Sequence, residues 1–211
     1  MCGNGIRCVG KFLYDHGMVD INEKDEITIE TLSGIKKLKA YTSGGKVNRL
    51  RVDMGKAILE PKEIPVVLDG DKVVDRPVEI AGKNYNITCV SMGNPHCVVF
   101  MDDIDNLDIE TVGPEFENDK LFPERVNTEF VTVLDDHTIK MRVWERGSGE
   151  TWACGTGACA VAVAACENGF CKKGEDIKIK LKGGDLIINY TDETVYMTGN
   201  AEKVFEGEVE V

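Results

Sequence analysis

The sequence predicts an α+β, strand-dominated fold built from two related halves. Three observations predict it. The stretch MCGNGIRCVGKFLYDHG at 1–17 lies without a gap over ACGTGACAVAVAACENG at 153–169, so Cys2/Cys154, Gly3/Gly155, Gly5/Gly157, Val9/Val161 and Gly17/Gly169 coincide. Each copy leads into a strand, a glycine turn and a strand: DEITIETLSGIKKLKAYT after the first, EDIKIKLKGGDLIINYT after the second. A further pair of segments, RLRVDMGKA and TVYMTGNAEKV, extends the likeness.

In the repeated opening segments, Ile6, Val9, Phe12 and Leu13 follow the helical period, as do Ala158, Val161, Ala162 and Ala165. These positions are the expected core faces of two helices. Each helix runs to a glycine suited to the C′ position, Gly17 or Gly169. The period-2 runs with Gly or Asp turns predict an antiparallel meander after each helix. Further strands are expected over Tyr85–Met92, Cys97–Met101, Thr128–Leu134 and Thr138–Trp144, and a short helix over Asp105–Val112. Residues 1–55 are read as the first lobe, with 199–211 a candidate completion, and 56–198 as the second. The second half begins near Asn84, about 70 residues before Cys154, whereas a single residue precedes Cys2. By symmetry the first lobe is expected to be N-terminally truncated, because a half-built sheet would leave unpaired edges.

Composition narrows the function. The 211 residues carry a formal net charge of -12 and no Lys/Arg cluster, which argues against nucleic acid and anionic membrane surfaces as partners. The uncharged stretch Thr151–Cys166 is too short for a membrane span and too rich in Gly and Ala, and it reads as a buried helix. No signal peptide is evident, so the eight cysteines are expected reduced, in the cytoplasm. No C-x-x-C occurs and no metal site is expected.

The repeat places a cysteine at the start of two helices. The first N–H groups of a helix have no internal partner, and with the helix dipole they attract an anion. A thiol there is expected to have its pKa lowered toward neutrality. Two such units related by a pseudo-twofold would aim two thiols at one cleft. That arrangement suits inversion of a stereocentre alpha to a carboxylate: a thiolate removes a proton from one face and a thiol returns one to the other. The helix ends meet the enolate-like charge that develops. No pyridoxal cofactor is then required. The plainer alternative makes both motifs turns before packed helices with inert cysteines; duplication in register favours the functional reading.

Taken together, MCGNGIRC, SMGNPHCVVF, ERVNTEFV, ERGSGETWACGTGACA and TGNAEKVFEGE resemble the diaminopimelate epimerase family along nearly the whole chain. The resemblance implies two pseudo-symmetric lobes, each a strand barrel around a central helix, with the active site between them. It also implies a homodimer and a pyridoxal-independent isomerase interconverting LL- and meso-diaminopimelate for lysine and peptidoglycan synthesis. Carried over by position, Cys2 and Cys154 match the acid/base thiols, with His96 and Glu145 assisting proton transfer. Gly3, Asn4, Gly155 and Thr156 match the helix starts that hold the reacting carboxylate. Asn94, Asn127, Glu145 and Arg146 match substrate contacts, Arg146 facing the distal carboxylate. Family members begin with about 70 more residues, in line with the repeat arithmetic.

The remaining candidates are bland. Cys8, Cys159 and Cys166 are expected in the core, and Cys89 and Cys97 packed on strands. His16 and His137 are expected to face solvent, and Phe205 to pack or to join a dimer contact. Gly3-x-Gly5 lacks the third glycine of a dinucleotide loop, and no Walker motif is present. Two alternatives stay open: an amino-acid racemase of the proline-racemase type, and an inactive truncated binding or dimerisation module.

Overall fold

Strands outnumber helices and pair into one continuous sheet. The structure is a computed structural model describing residues 3–21, 25–32 and 34–209. Among the described residues three α-helices are found: α1 (Gly3–Asp15), α2 (Ile109–Glu117) and α3 (Gly155–Glu167). The strands are β1 (Glu26–Thr31), β2 (Gly34–Ser43), β3 (Lys46–Asp53), β4 (Arg76–Ile80), β5 (Lys83–Ser91) and β6 (Pro95–Phe100). They continue with β7 (Asn127–Asp135), β8 (Thr138–Glu145), β9 (Gly149–Thr151), β10 (Asp176–Leu181), β11 (Gly184–Tyr190) and β12 (Val195–Asn200).

The sheet order is β1-β2-β3-β12-β11-β10-β8-β7-β6-β5-β4, with β9 on β8. Its first six strands read the same from either end: two three-stranded meanders joined by the antiparallel pair β3–β12. Registers repeat as well. Thr31 faces Gly34 across the first hairpin and Leu181 faces Gly184 across the second, and the pairings run from there to Glu26–Lys39 and Asp176–Asn189. The sequence repeat is thus a structural pseudo-twofold through β3 and β12.

The helix ends match too. Gly17 and Gly169 both have positive φ. The Met18 N–H donates to the Leu13 carbonyl and the Gly17 N–H to Tyr14; the Phe170 N–H donates to Ala165 and the Gly169 N–H to Cys166. Both helices therefore close with the same left-handed glycine and the same 6→1 bond.

Three expectations need correction. The short helix lies at Ile109–Glu117 and not at 105–112. Asp103 accepts from the Asp105 N–H and from the Asn106 side chain, so a side-chain-closed turn occupies the expected first helical turn. On α1 the period is right and the phase is wrong. Its buried stripe is Gly3, Ile6, Arg7 and Gly10, whereas Val9 and Phe12 are about half exposed. The cause is Gly10: a β-carbon there would lie 2.9 Å from Leu38 and 3.0 Å from Leu50, so the helix backbone itself rests on β2 and β3. Cys8, expected in the core, falls on the outer face and is exposed. With Val9, Phe12, His16 and Ala201 it lines an apolar groove of about 360 Å³. By contrast α3 is buried on all sides from Gly155 to Ala165, apart from Thr156, because small Ala and Gly side chains let strands approach around it.

Two apolar clusters result. One joins Ile6, Leu38, Leu50 and Val52 of the first repeat to α3, Ile177, Ile188 and Met197 of the second. The other lies under α2 and includes Ile87, Cys89, Cys97, Val99, Phe116 and Phe130. Strands β6 and β7 run parallel between the two and are buried on both faces. Val98 and Val131 turn toward α3, Val99 and Phe130 toward α2. That alternation sends His96 and Glu129 to the α3 side. No described helix is long and apolar enough to cross a membrane.

Candidate active site at the paired helix starts

Cys154 is the N-cap of α3. Its backbone is extended (φ -121°), and its Sγ accepts the Gly157 N–H at 3.4 Å, one of the orphan donors of the first turn. Thr156 Oγ1 lies 3.6 Å from the same sulfur. The residue is 5% exposed. Burial, and then the Glu129 and Glu145 carboxylates, push its thiol up to about 12, against the hydroxyl of Thr156 and the Gly157 N–H. A helix start alone would shift the thiol in the opposite direction. Here the dry surroundings and two nearby negative charges outweigh the helix end and favour the protonated thiol.

The glycines of the Cys-Gly-x-Gly motif have identifiable reasons. A β-carbon on Gly155 would lie 3.6 Å from Gly3 Cα, 3.5 Å from Asn4 Oδ1 and 3.2 Å from Met197 Sδ. One on Gly3 would lie 2.7 Å from Met197 Cε. The first residues of α1 and α3 therefore abut, with Met197 of β12 beneath both. One on Gly157 would lie 2.5 Å from Glu129 Oε1 and 3.2 Å from Cys154 Sγ. Cys2 lies outside the described residues. Arg7, one turn along α1, is buried; its guanidinium donates to the carbonyls of Gly3 and Asn200 and to Asn4 Oδ1. It fastens the start of α1 to the end of β12.

Asn94 and His96 reach the α3 start from the β5–β6 turn and β6. Asn94 Nδ2 donates to Thr156 Oγ1 at 3.4 Å, and Asn94 Oδ1 faces His96 Nε2 at 3.2 Å. His96 Nδ1 lies 2.7 Å from Glu129 Oε1, and neither side chain is exposed. Burial raises the Glu129 carboxyl above the ordinary range; the His96 charge opposes that and Glu145 adds to it. Glu129 Oε2 has no hydrogen-bond partner among the described residues.

The remaining predicted residues form the wall beside this network. Glu145, at the end of β8, accepts from Thr151 Oγ1 at 2.5 Å. Asn127, opposite His96 in the β6–β7 register, donates to the Pro95 carbonyl and accepts the Arg146 N–H. Its amide thus ties the His96 strand to the Glu145–Arg146 loop. Arg146 Nη1 donates to the Glu124 carbonyl at the exposed rim. Glu117, at the end of α2, braces the same loop by accepting from Trp144 Nε1, the Gly147 N–H and Arg125 Nη1.

The structure thus joins Asn94, His96, Thr156 and Cys154 in one hydrogen-bonded group and sets Gly3 and Asn4 against Gly155. Glu145 acts on that group through its charge, and Arg146 stays at the edge. Sequence reasoning missed Glu129, Arg7, Met197 and Glu117. Glu129 did leave a signal: it is a lone charge amid the inward run Asn127–Val131, where a doubly buried strand would carry apolar residues.

The fold is shared with racemases. A probable proline racemase of Agrobacterium radiobacter superposes with a TM-score of 0.71 over 95% of this chain and 65% of that one, at 16% identity. A family model described as diaminopimelate epimerase matches residues 88–204. Curated diaminopimelate epimerases of Agathobacter rectalis and Acetivibrio thermocellus are 51% and 53% identical, each over 100% of this chain and over 75% and 74% of their own lengths. The chain belongs to the diaminopimelate epimerase family.

Proposed function

We propose that this chain is a pyridoxal-independent isomerase that interconverts LL- and meso-diaminopimelate at the alpha carbon, with Cys2 and Cys154 as the two acid/base thiols. The observation that carries the reading is the meeting of the two helix starts at Gly3 and Gly155. A carboxylate lying across them receives N–H groups from both ends, and the charge that develops on removing the alpha proton stays at those donors. The cysteines that precede these glycines then address opposite faces of the carbon.

Cys154 enters the cycle as the acid. In that direction Cys2 takes the alpha proton, and Cys154 gives its own to the opposite face. In the reverse direction Cys154 must first lose its proton, and His96, Glu145 and the helix start are the groups that assist. Asn94, Asn127 and Arg146 contact the rest of the substrate, Arg146 at the distal carboxylate. Residues 1–55 and 56–198 form the two lobes of this site. The exposed Val204 and Phe205 support a homodimer.

The test is solvent deuterium uptake at the alpha carbon. Uptake with diaminopimelate and none with proline is expected. Uptake with proline alone would favour the racemase whose fold is shared, and no uptake with either would favour a binding module.

A further inference from the structure

We propose that Glu129 is a positioning residue of this site, acting through His96 on one side and across Gly157 on the Cys154 sulfur on the other. The inference rests on the epimerase reading for its kinetic consequence, but its structural basis is separate. Glu129 is fully buried in β7, a strand walled by apolar clusters on both faces, where a charge is costly unless something requires it. Its Oε1 is held by His96 Nδ1 at 2.7 Å, while its Oε2 has no partner among the described residues. A purely structural carboxylate would satisfy both oxygens, as Glu117 does nearby.

The ring is oriented by its neighbours. Asn94 donates to Thr156 and so turns its oxygen toward His96 Nε2. The carboxylate fixes the ring with Nε2 toward the start of α3, the carboxylate–histidine arrangement that sets a tautomer. Across the strand's other contact, the β-carbon position of Gly157 touches both Oε1 and Cys154 Sγ, so no side chain separates carboxylate from sulfur. The titratable groups facing Glu129 are His96 and Cys97 from β6, Glu145 from β8 and Cys154 from α3. Among them, Glu129 is the charge that most opposes ionisation of Cys154.

Two variants separate the two actions. Glu129→Gln keeps the shape and removes the charge. Mass-spectrometric peptide mapping after brief iodoacetamide treatment between pH 8 and 9.5, with Cys8 as internal reference, should show Cys154 labelled about tenfold faster than in the parent, equivalent to about one pH unit. Cys159, buried one turn and a half further along α3, should not change. Glu129→Asp keeps the charge but withdraws it from Nδ1. Cys154 labelling should rise less than in Glu129→Gln, and kcat for alpha-deuteration should fall about tenfold or more at unchanged KM. Labelling of Cys154 that is unchanged in Glu129→Gln, or that rises together with Cys159, overturns the action on the sulfur. Parental kcat in Glu129→Asp overturns the action through His96. If the parent chain itself exchanges no alpha hydrogen, the epimerase reading fails, and the labelling still decides the role of Glu129.

Discussion

Gly3 Cα lies 3.6 Å from the point where a β-carbon on Gly155 would sit, so the two central helices begin against each other. The gap between their first turns is set by hydrogen atoms, and Met197 closes it from below. A ligand that spans both helix starts needs both positions bare.

Gly155→Ala separates packing from function. Its methyl would meet Met197 Sδ at 3.2 Å, which the flexible thioether can yield, and the helix gains up to about 1 kcal/mol of propensity. Thermal unfolding should therefore shift by no more than about 4 °C. The same methyl projects into the cleft between the helix starts, and alpha-deuteration should drop by about two orders of magnitude, as expected when donors to the developing charge are displaced. A lowered melting temperature with unaltered deuteration would show that the glycine serves packing alone.

Cys154→Ala should abolish epimerisation, because a single remaining thiol cannot both take and return a proton across the carbon. Cys8→Ala should leave turnover intact. Cys8 lies on the exposed face of α1, away from the buried stripe that carries Gly3 and Arg7. Peptide mapping at neutral pH should also find Cys8 labelled well before Cys154. Equal loss of activity in both variants would contradict the assignment of Cys154.

Alkali should destabilise the fold through its buried thiols. Burial raises Cys154 and Cys166 to about 12 and Cys171 to about 11, and it raises Cys159 as well, all from an ordinary value of 9.0. The folded state therefore holds these protons more tightly than the unfolded chain. The stability they supply is complete below about pH 9 and is lost as pH rises toward the folded values. The urea midpoint should fall steadily above pH 9, and Cys159→Ala should flatten that slope. A midpoint that is level from pH 8 to pH 11 would exclude the linkage.

The repeat made much of this architecture readable in advance. Cys-Gly-x-Gly, the terminal glycines and the paired hairpins lie in local sequence, and local chemistry is what each of them uses. The phase of α1 was not readable. Gly10 is recessed because Leu38 and Leu50 press against it, a fact that appears only when β2 and β3 are in place. The Cys154 ionisation was misread for a similar reason. The helix start is local, whereas Glu129 and Glu145 arrive from β7 and β8. His96 could be picked out beside Asn94-Pro95, but its partner lies 33 residues away on a neighbouring parallel strand. Such a pairing leaves only an out-of-place charge in an apolar run.

Glu117 should matter to substrate binding without touching substrate. Its Oε1 accepts from Arg125 Nη1 (2.9 Å) and the Gly147 N–H (2.8 Å), and its Oε2 accepts from Trp144 Nε1 (2.7 Å). An amide has one acceptor oxygen, so Glu117→Gln leaves the indole or the Gly147 N–H facing an NH₂ group. An orphaned donor of this kind costs about 1–3 kcal/mol. The strain falls on the turn after β8, which carries Arg146. We expect a lower urea midpoint and a raised KM for diaminopimelate, with kcat changed little, since Cys154 and His96 are held by other elements. Glu115→Gln, on the exposed side of the same helix, should change neither. An unaltered KM in Glu117→Gln, despite a measured loss of stability, would show that the loop keeps its shape without this carboxylate and would remove Arg146 from the residues it positions.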